Sequence, residues 1–205
     1  MKNEPGIWEI AVLALLREAP MHPYQMRRLL QRRHKDEILA LKRGSLYHAI
    51  GRLERDGLIN AKSTERDGRR PERTTYCITP EGKKSFTAIL RKLIATPRRE
   101  PSEFMAAMSF LVHLTPAEAT PRLEDRMRTL EATIAQIESV LAAAQPFVDR
   151  INLIESEYLL AMQRADLDWT RNLAEQIRTR ELDWDLKTIL ENARSERDAA
   201  DRTEE

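Results

Sequence analysis

The stretch Gly44-Ser45-Leu46-Tyr47-His48-Ala49-Ile50-Gly51-Arg52-Leu53-Glu54-Arg55-Asp56-Gly57-Leu58-Ile59 reads as a helix with one narrow apolar stripe. Leu46, Ile50 and Leu53 recur at spacings of four and three, so they share one side. Asp56-Gly57 supplies the stop, because glycine tolerates the left-handed conformation that ends a helix. The remaining circumference carries Ser45, His48, Arg52 and Arg55, with Tyr47 to one side. All are residue types able to hydrogen-bond phosphates or base edges. A helix that buries so little of itself has a face free for solvent or for a partner.

The next segment of chain gives the free face a neighbour. Leu58 to Thr64 and Thr74 to Thr79 are β-branched and partly alternating, which predicts two strands. Cys77 falls in the second. Between them, Glu65-Arg66-Asp67-Gly68-Arg69-Arg70-Pro71-Glu72-Arg73 combines Asp-Gly turn chemistry with four arginines, and Pro71 cannot pair as ordinary strand. A hairpin with a basic tip is expected. Thr79-Pro80-Glu81 then reads as N-cap, first helical residue and first-turn acid of a helix whose Phe86, Ile89, Leu90, Leu93 and Ile94 share a face.

Upstream, Trp8 to Ala19 is almost uninterrupted apolar sequence closed by Pro20, a buried first helix. Pro23 suits the first position of a second, where Met26, Leu29 and Leu30 make an apolar edge beside Arg27, Arg28, Arg32 and Arg33. Three helices, a hairpin and a further helix, with base on the third helix and hairpin tip, form the winged helix-turn-helix plan. A helix about 10 to 12 Å across fits the B-DNA major groove, and an arginine-bearing hairpin beside it reaches adjacent backbone or minor groove. Winged helices also dock proteins, and element order alone leaves that alternative open.

Charge divides the 205 residues in the same way. The net charge of +1 conceals 22 basic and 12 acidic residues in 1–100, against 12 and 21 in 101–205. A basic half suits a polyanion, and the acidic half has a different task. Thr96-Pro97-Arg98-Arg99-Glu100-Pro101-Ser102 is a proline-bracketed hinge, after which Ser102-Glu103 begins a short apolar helix through Leu114. Thr115-Pro116-Ala117-Glu118 opens a long helix in which Leu123, Met127, Leu130, Ile134, Ile137 and Leu141 repeat in a heptad seam. Gln145-Pro146-Phe147 breaks it. A second long pattern carries Ile151, Ile154, Tyr158, Met162, Ala165, Trp169 and Leu173 on one face, and Leu153, Leu160 and Leu167 on another. Extended to Leu190 it would run about 60 Å, so it must break or meet another chain. Its two apolar strips suit a hairpin mate and a partner subunit. Arg194 to Glu205 is charged and aperiodic, and is expected to fray.

The expected fold is therefore mainly α: a winged helix-turn-helix over 1–95, a hinge over 96–102, an all-α helical hairpin or coiled-coil domain over 103–193 and a charged tail over 194–205. Dimerisation falls to Leu123, Met127, Leu130, Ile134, Ile137, Leu141, Ile154, Tyr158, Met162 and Trp169. Whether the seam pairs within or between chains stays open.

Residues 44–59 closely resemble the recognition-helix segment of PadR-family transcriptional regulators. So does Thr74-Thr75-Tyr76-Cys77-Ile78-Thr79-Pro80-Glu81-Gly82, and His22-Pro23-Tyr24-Gln25-Met26 looks like the family's His-Gly-Tyr-Glu/Asp-Leu segment, with Pro23 for glycine and Gln25 for an acid. The resemblance covers roughly residues 7 to 95. It implies a one-component regulator, most often a repressor, that binds a palindromic double-stranded DNA operator as a homodimer through C-terminal helices. Carried over, base-edge readout falls to Ser45, His48 and Arg52, with Tyr47 near the backbone. Phosphate and wing contacts fall to Lys42, Arg43, Arg66, Arg69, Arg70 and Arg73. The resemblance also allows for a small-molecule effector, an aromatic one included, with Trp8, Trp169 and Trp184 as candidates. The rival class is a winged-helix adaptor that docks an acidic protein.

Other chemistry finds little support. There is no Gly-rich phosphate loop, His-Glu-x-x-His or nucleophile elbow, and His22, His34, His48 and His113 lack ligand spacing, so neither an enzyme, a metal nor a cofactor is expected. Asp166/Asp168 and Asp183/Asp185 stand two apart on expected helices, which points them in different directions. A single cysteine suits a reducing compartment. The longest apolar run, Ile7 to Leu16, has ten residues, includes Glu9, and falls short of the roughly 20 that span a bilayer. Its flank, Met1-Lys2-Asn3-Glu4-Pro5, is no signal-peptide start, and a cytoplasmic location is expected.

Overall fold

A computed structural model describes residues 5–39, 45–65, 73–97 and 102–201. The chain divides into two compact units, Met1–Arg99 and Glu100–Glu205. The first holds α1 (Ile7–Glu18), α2 (Pro23–Arg32), α3 (Lys35–Ile38), α4 (Ser45–Arg55), β1 (Ile59–Glu65), β2 (Arg73–Ile78) and α5 (Pro80–Ala95). Local chemistry sets most of these boundaries. Pro23 opens α2 behind His22, whose Nδ1 accepts from Gln25 N at 3.2 Å, while Gln25 Oε1 accepts from His22 N at 3.1 Å. Gln25, where the family resemblance expects an acid, thus completes a capping box. Thr79 caps α5 by accepting from Gly82 N at 3.0 Å. Gly57, at φ +70°, closes α4. One helix escapes the sequence reading: α3, a single turn after His34 in the left-handed region (φ 53°), occupies the expected charged connection.

Helix α1 is the centre of this unit, packing against α4, α5 and β2. Val12, Leu13, Leu16, Met26, Leu30, Leu46, Ile50, Leu53, Ile59 and Phe86 form the shared core. The strands pair antiparallel from Ile59↔Ile78 at the base to Glu65↔Arg73, with a bulge at Lys62 that adds twist. Met21 adds a further bridge through Met21 N to Tyr76 O and Tyr76 N to Met21 O, both 3.1 Å.

The second unit holds α6 (Glu103–Ser109), α7 (Pro116–Ala144), α8 (Ile154–Arg178) and α9 (Leu186–Asp201), with 3-10 turns at Leu111–His113 and Arg150–Asn152. Ser102 caps α6, which stops five residues before the expected Leu114. The capping box of Thr115 and Glu118 starts α7, as the sequence predicts. Helices α7 and α8 lie antiparallel, tied by Arg164 to Glu138 at 2.6 Å, Arg171 to Glu131 at 3.2 Å, and Arg126 to Asp166.

Three expectations are corrected by the helical unit. The second long pattern breaks at 179–185, one of its two expected outcomes, with Arg180 at φ 60°; Asp183 and Asp185, expected on a helix, therefore lie between helices. Asp185 there accepts from Thr188 N at 3.1 Å and from its hydroxyl at 2.6 Å, starting α9. That helix continues through Asp201 into the stretch expected to fray, because its Ala, Glu and Arg content favours helix. Finally, the α8 face that meets α7 is the strip expected to be secondary. Leu153, Leu167, Thr170, Ala174 and Ile177 are buried, whereas Ile151, Ile154, Tyr158, Met162 and Trp169 are exposed. On α7, Leu123, Leu130 and Leu141 are buried, Met127 packs against the Leu123 cluster, and Ile134 and Ile137 are half-buried.

Candidate nucleic-acid interface

Helix α4 turns Leu46, Ala49, Ile50 and Leu53 into the core. At about 3.6 residues per turn, the opposite side centres on His48, Gly51 and Arg55, with Tyr47 and Arg52 on its two flanks. All five are exposed, and Ser45, at the first turn, is half-buried. Gly51 has no atom within 4 Å of where a Cβ would stand, so the middle of this face is open backbone between His48 and Arg55. Glu54 belongs elsewhere. Burial, and next the Glu54 carboxylate, push the Tyr76 phenol above its ordinary range, which places Glu54 on the hairpin side.

Arg52 is not free. Its Nε donates to Glu9 Oε1 on α1, and its Nη2 lies against the same oxygen. Glu9 is only 5% exposed among the apolar residues of α1. A carboxylate buried there needs a partner, and Arg52 supplies it. The sequence alone cannot join these residues, since 43 positions separate them.

The hairpin leaves α4 through Gly57 and carries Lys62 exposed at its bulge. Arg73 lies in β2 with its backbone paired to Glu65. Lys42, Arg43, Arg66, Arg69 and Arg70, and the side chain of Arg73, lie outside the described residues. Of the expected contacts, the structure therefore brings together Ser45, Tyr47, His48 and Arg52 on one helix. The outward centre formed by Gly51 and Arg55 was readable as spacing from His48 but is absent from the expected contact set.

Basic residues also gather away from α4. Arg17, Lys83, Lys84, Thr87 and Arg91 line an open groove of about 380 Å³ between α1 and α5. It lies at the base of the hairpin, where α5 begins. Six to seven strand residues at about 3.3 Å each separate that base from the far end of the paired strands.

Among the described residues, no group of three metal-ligating side chains converges, and no helix is long and apolar enough to cross a membrane.

The family model described as the Transcriptional regulator PadR-like family matches residues 12–88. The negative transcriptional regulator PadR of Bacillus subtilis (strain 168) is 23% identical over 144 residues, 68% of this chain and 78% of that protein. Among solved structures, B. subtilis PadR in complex with operator DNA aligns with a TM-score of 0.68 at 19% identity, over 84% of this chain and 99% of that one. The same protein in complex with p-coumaric acid aligns with a TM-score of 0.67 at 19% identity over the same shares. The protein smu.1604c from Streptococcus mutans UA159 gives 0.58 at 19% identity, over 80% of this chain and 96% of that one.

Proposed function

Residues 12–88 place this chain in the PadR-like family of transcriptional regulators, and from that premise we propose that it is a repressor that binds a palindromic operator as a homodimer. The observation that carries this reading is α4: one side is locked in the core while the other presents Tyr47, His48 and Arg55 around the bare backbone of Gly51. Such a face enters a major groove closely, with donors placed for base edges. Ser45 and His48 read bases, Tyr47 lies near the backbone, and Arg52 stands on the flank beside them. Lys42, Arg43, Arg66, Arg69, Arg70 and Arg73 meet phosphates.

The second unit is the dimerisation domain. With the seam residues Leu123, Leu130 and Leu141 buried, the stripe Ile154, Tyr158, Met162 and Trp169 is an exposed apolar surface suited to a partner subunit. Repression by a B. subtilis relative solved with p-coumaric acid supports release by a small aromatic acid. The protein works in the cytoplasm, where its DNA is, and performs no catalysis.

The test is a titration of the full chain with DNA from upstream of its own gene at several salt concentrations, alongside an unrelated acidic protein. Tight binding to the DNA alone, with log affinity falling linearly in log salt, is expected. Binding to the acidic protein and not to DNA would make it an adaptor.

A further inference from the structure

We infer that Glu9 sets the role of Arg52: the ion pair turns this arginine into a strut against the DNA backbone instead of a base reader. The inference deepens the DNA-binding reading and rests on it.

Four observations converge. Glu9 is buried in the first turn of α1, and its carboxylate is confined on both sides. Oε1 accepts from Arg52, while Oε2 lies over Gly6, where an added Cβ would come within 2.9 Å. The Arg52 side chain is 48% exposed, so the guanidinium is anchored at one edge and open at the other. Nε and Nη2 face Glu9, so the protons left for an acceptor outside the fold are those of Nη1 and the second of Nη2. Lastly, Arg52 stands on the α1 flank of α4, whereas His48, Gly51 and Arg55 hold the centre of the outward side. An arginine that reads guanine aims two donors at O6 and N7 on the floor of the groove. One held sideways against α1 projects toward the groove wall, where the acceptors are phosphate oxygens. Glu9 is therefore a positioning residue that acts through Arg52, and it keeps a long side chain from having to be ordered at the moment of binding.

The experiment compares the full-length wild type with Glu9→Gln, Arg52→Gln and the double variant on operator and random duplex DNA across a salt series. Arg52→Gln should weaken both DNAs by the same factor, about tenfold, and lower the salt slope by about one. Glu9→Gln should weaken both by a smaller common factor, and the double variant should bind no worse than Arg52→Gln, since Glu9 acts only through its partner. Should Arg52→Gln unfold because it strands the buried carboxylate, the double variant, neutral at both positions, supplies the same comparison. A loss confined to the operator would show Arg52 to be a base reader and overturn the inference alone. Additive losses in the double variant would do so too, by giving Glu9 an independent role. A wild type that binds neither DNA overturns both this inference and the reading beneath it.

Discussion

Gly82 stands where a side chain has no room: a Cβ there would lie 2.1 Å from the Leu58 carbonyl oxygen and 2.9 Å from the Ile78 side chain. This close approach lets Thr79 donate its hydroxyl to Gly57 O at 2.9 Å and cap α5 at once, joining the end of α4, the hairpin base and the start of α5. Gly82→Ala should therefore destabilise the chain by about 1 to 3 kcal/mol, read as a lower urea midpoint. A midpoint unchanged from wild type would mean that the junction gives way without cost. A second residue-scale effect depends on pH. Arg33 donates to Glu18 at 2.6 and 2.8 Å, and that hydrogen bonding holds the Glu18 carboxyl below its ordinary 4.5. A depressed carboxyl adds stability above its unfolded value, and the contribution disappears as pH falls through the folded one. Both side chains are nearly half exposed, so the contribution is at most about 1 kcal/mol. Glu18→Gln should lower the urea midpoint slightly at pH 7, and the difference should vanish as pH falls through the depressed value of the folded Glu18 carboxyl. A difference that persists in acid would deny the linkage.

At the scale of elements, the helix starts were legible because their signals are local. His22-Pro23, Thr79-Pro80 and Thr115-Pro116 with Glu118 each announce a cap within four residues, and each forms one. Single-turn α3 has no periodicity to read, and its start rests on His34 taking a left-handed conformation that few residues other than glycine adopt. Helix α8 failed differently. Both of its apolar strips have helical spacing, and only the register against α7 selects Leu153 and Leu167 over Tyr158 and Met162. That selection makes a sharp prediction. Tyr158→Glu with Met162→Glu, at positions 68% and 53% exposed, should leave helicity intact and give a monomer in sedimentation. Leu123→Glu and Leu130→Glu, buried against α8, should instead melt the helical unit, because a carboxylate there finds no partner. A Tyr158/Met162 variant that sediments as a dimer would move the subunit contact off this stripe. On α4, Gly51→Ala should raise stability by about 0.5 to 1 kcal/mol, since nothing crowds the site, yet weaken DNA binding by obstructing close approach.

Over the whole molecule, the charge division and the two-unit plan come from composition and could be read at once, whereas the contacts that orient the site could not. Glu9 in an apolar run looked like an interruption. Its meaning lies in Arg52, which only the packing of α1 on α4 brings near. Basic residues likewise divide into two groups that composition merges. The groove of Arg17, Lys83, Lys84 and Arg91 lies at the hairpin base, so Lys83→Ala with Lys84→Ala should leave operator affinity and salt slope unchanged, while His48→Ala lowers operator affinity. Equal losses from both would show that net charge, not the face of α4, binds DNA. The most direct test of the central claim is selection of binding sites by the full chain from a pool of random duplexes. Two recognition helices about 34 Å apart in a symmetric dimer should enrich an inverted repeat with half-site centres about one helical turn apart. Recovery of unenriched sequence, or of a single asymmetric site with no repeat, would contradict it.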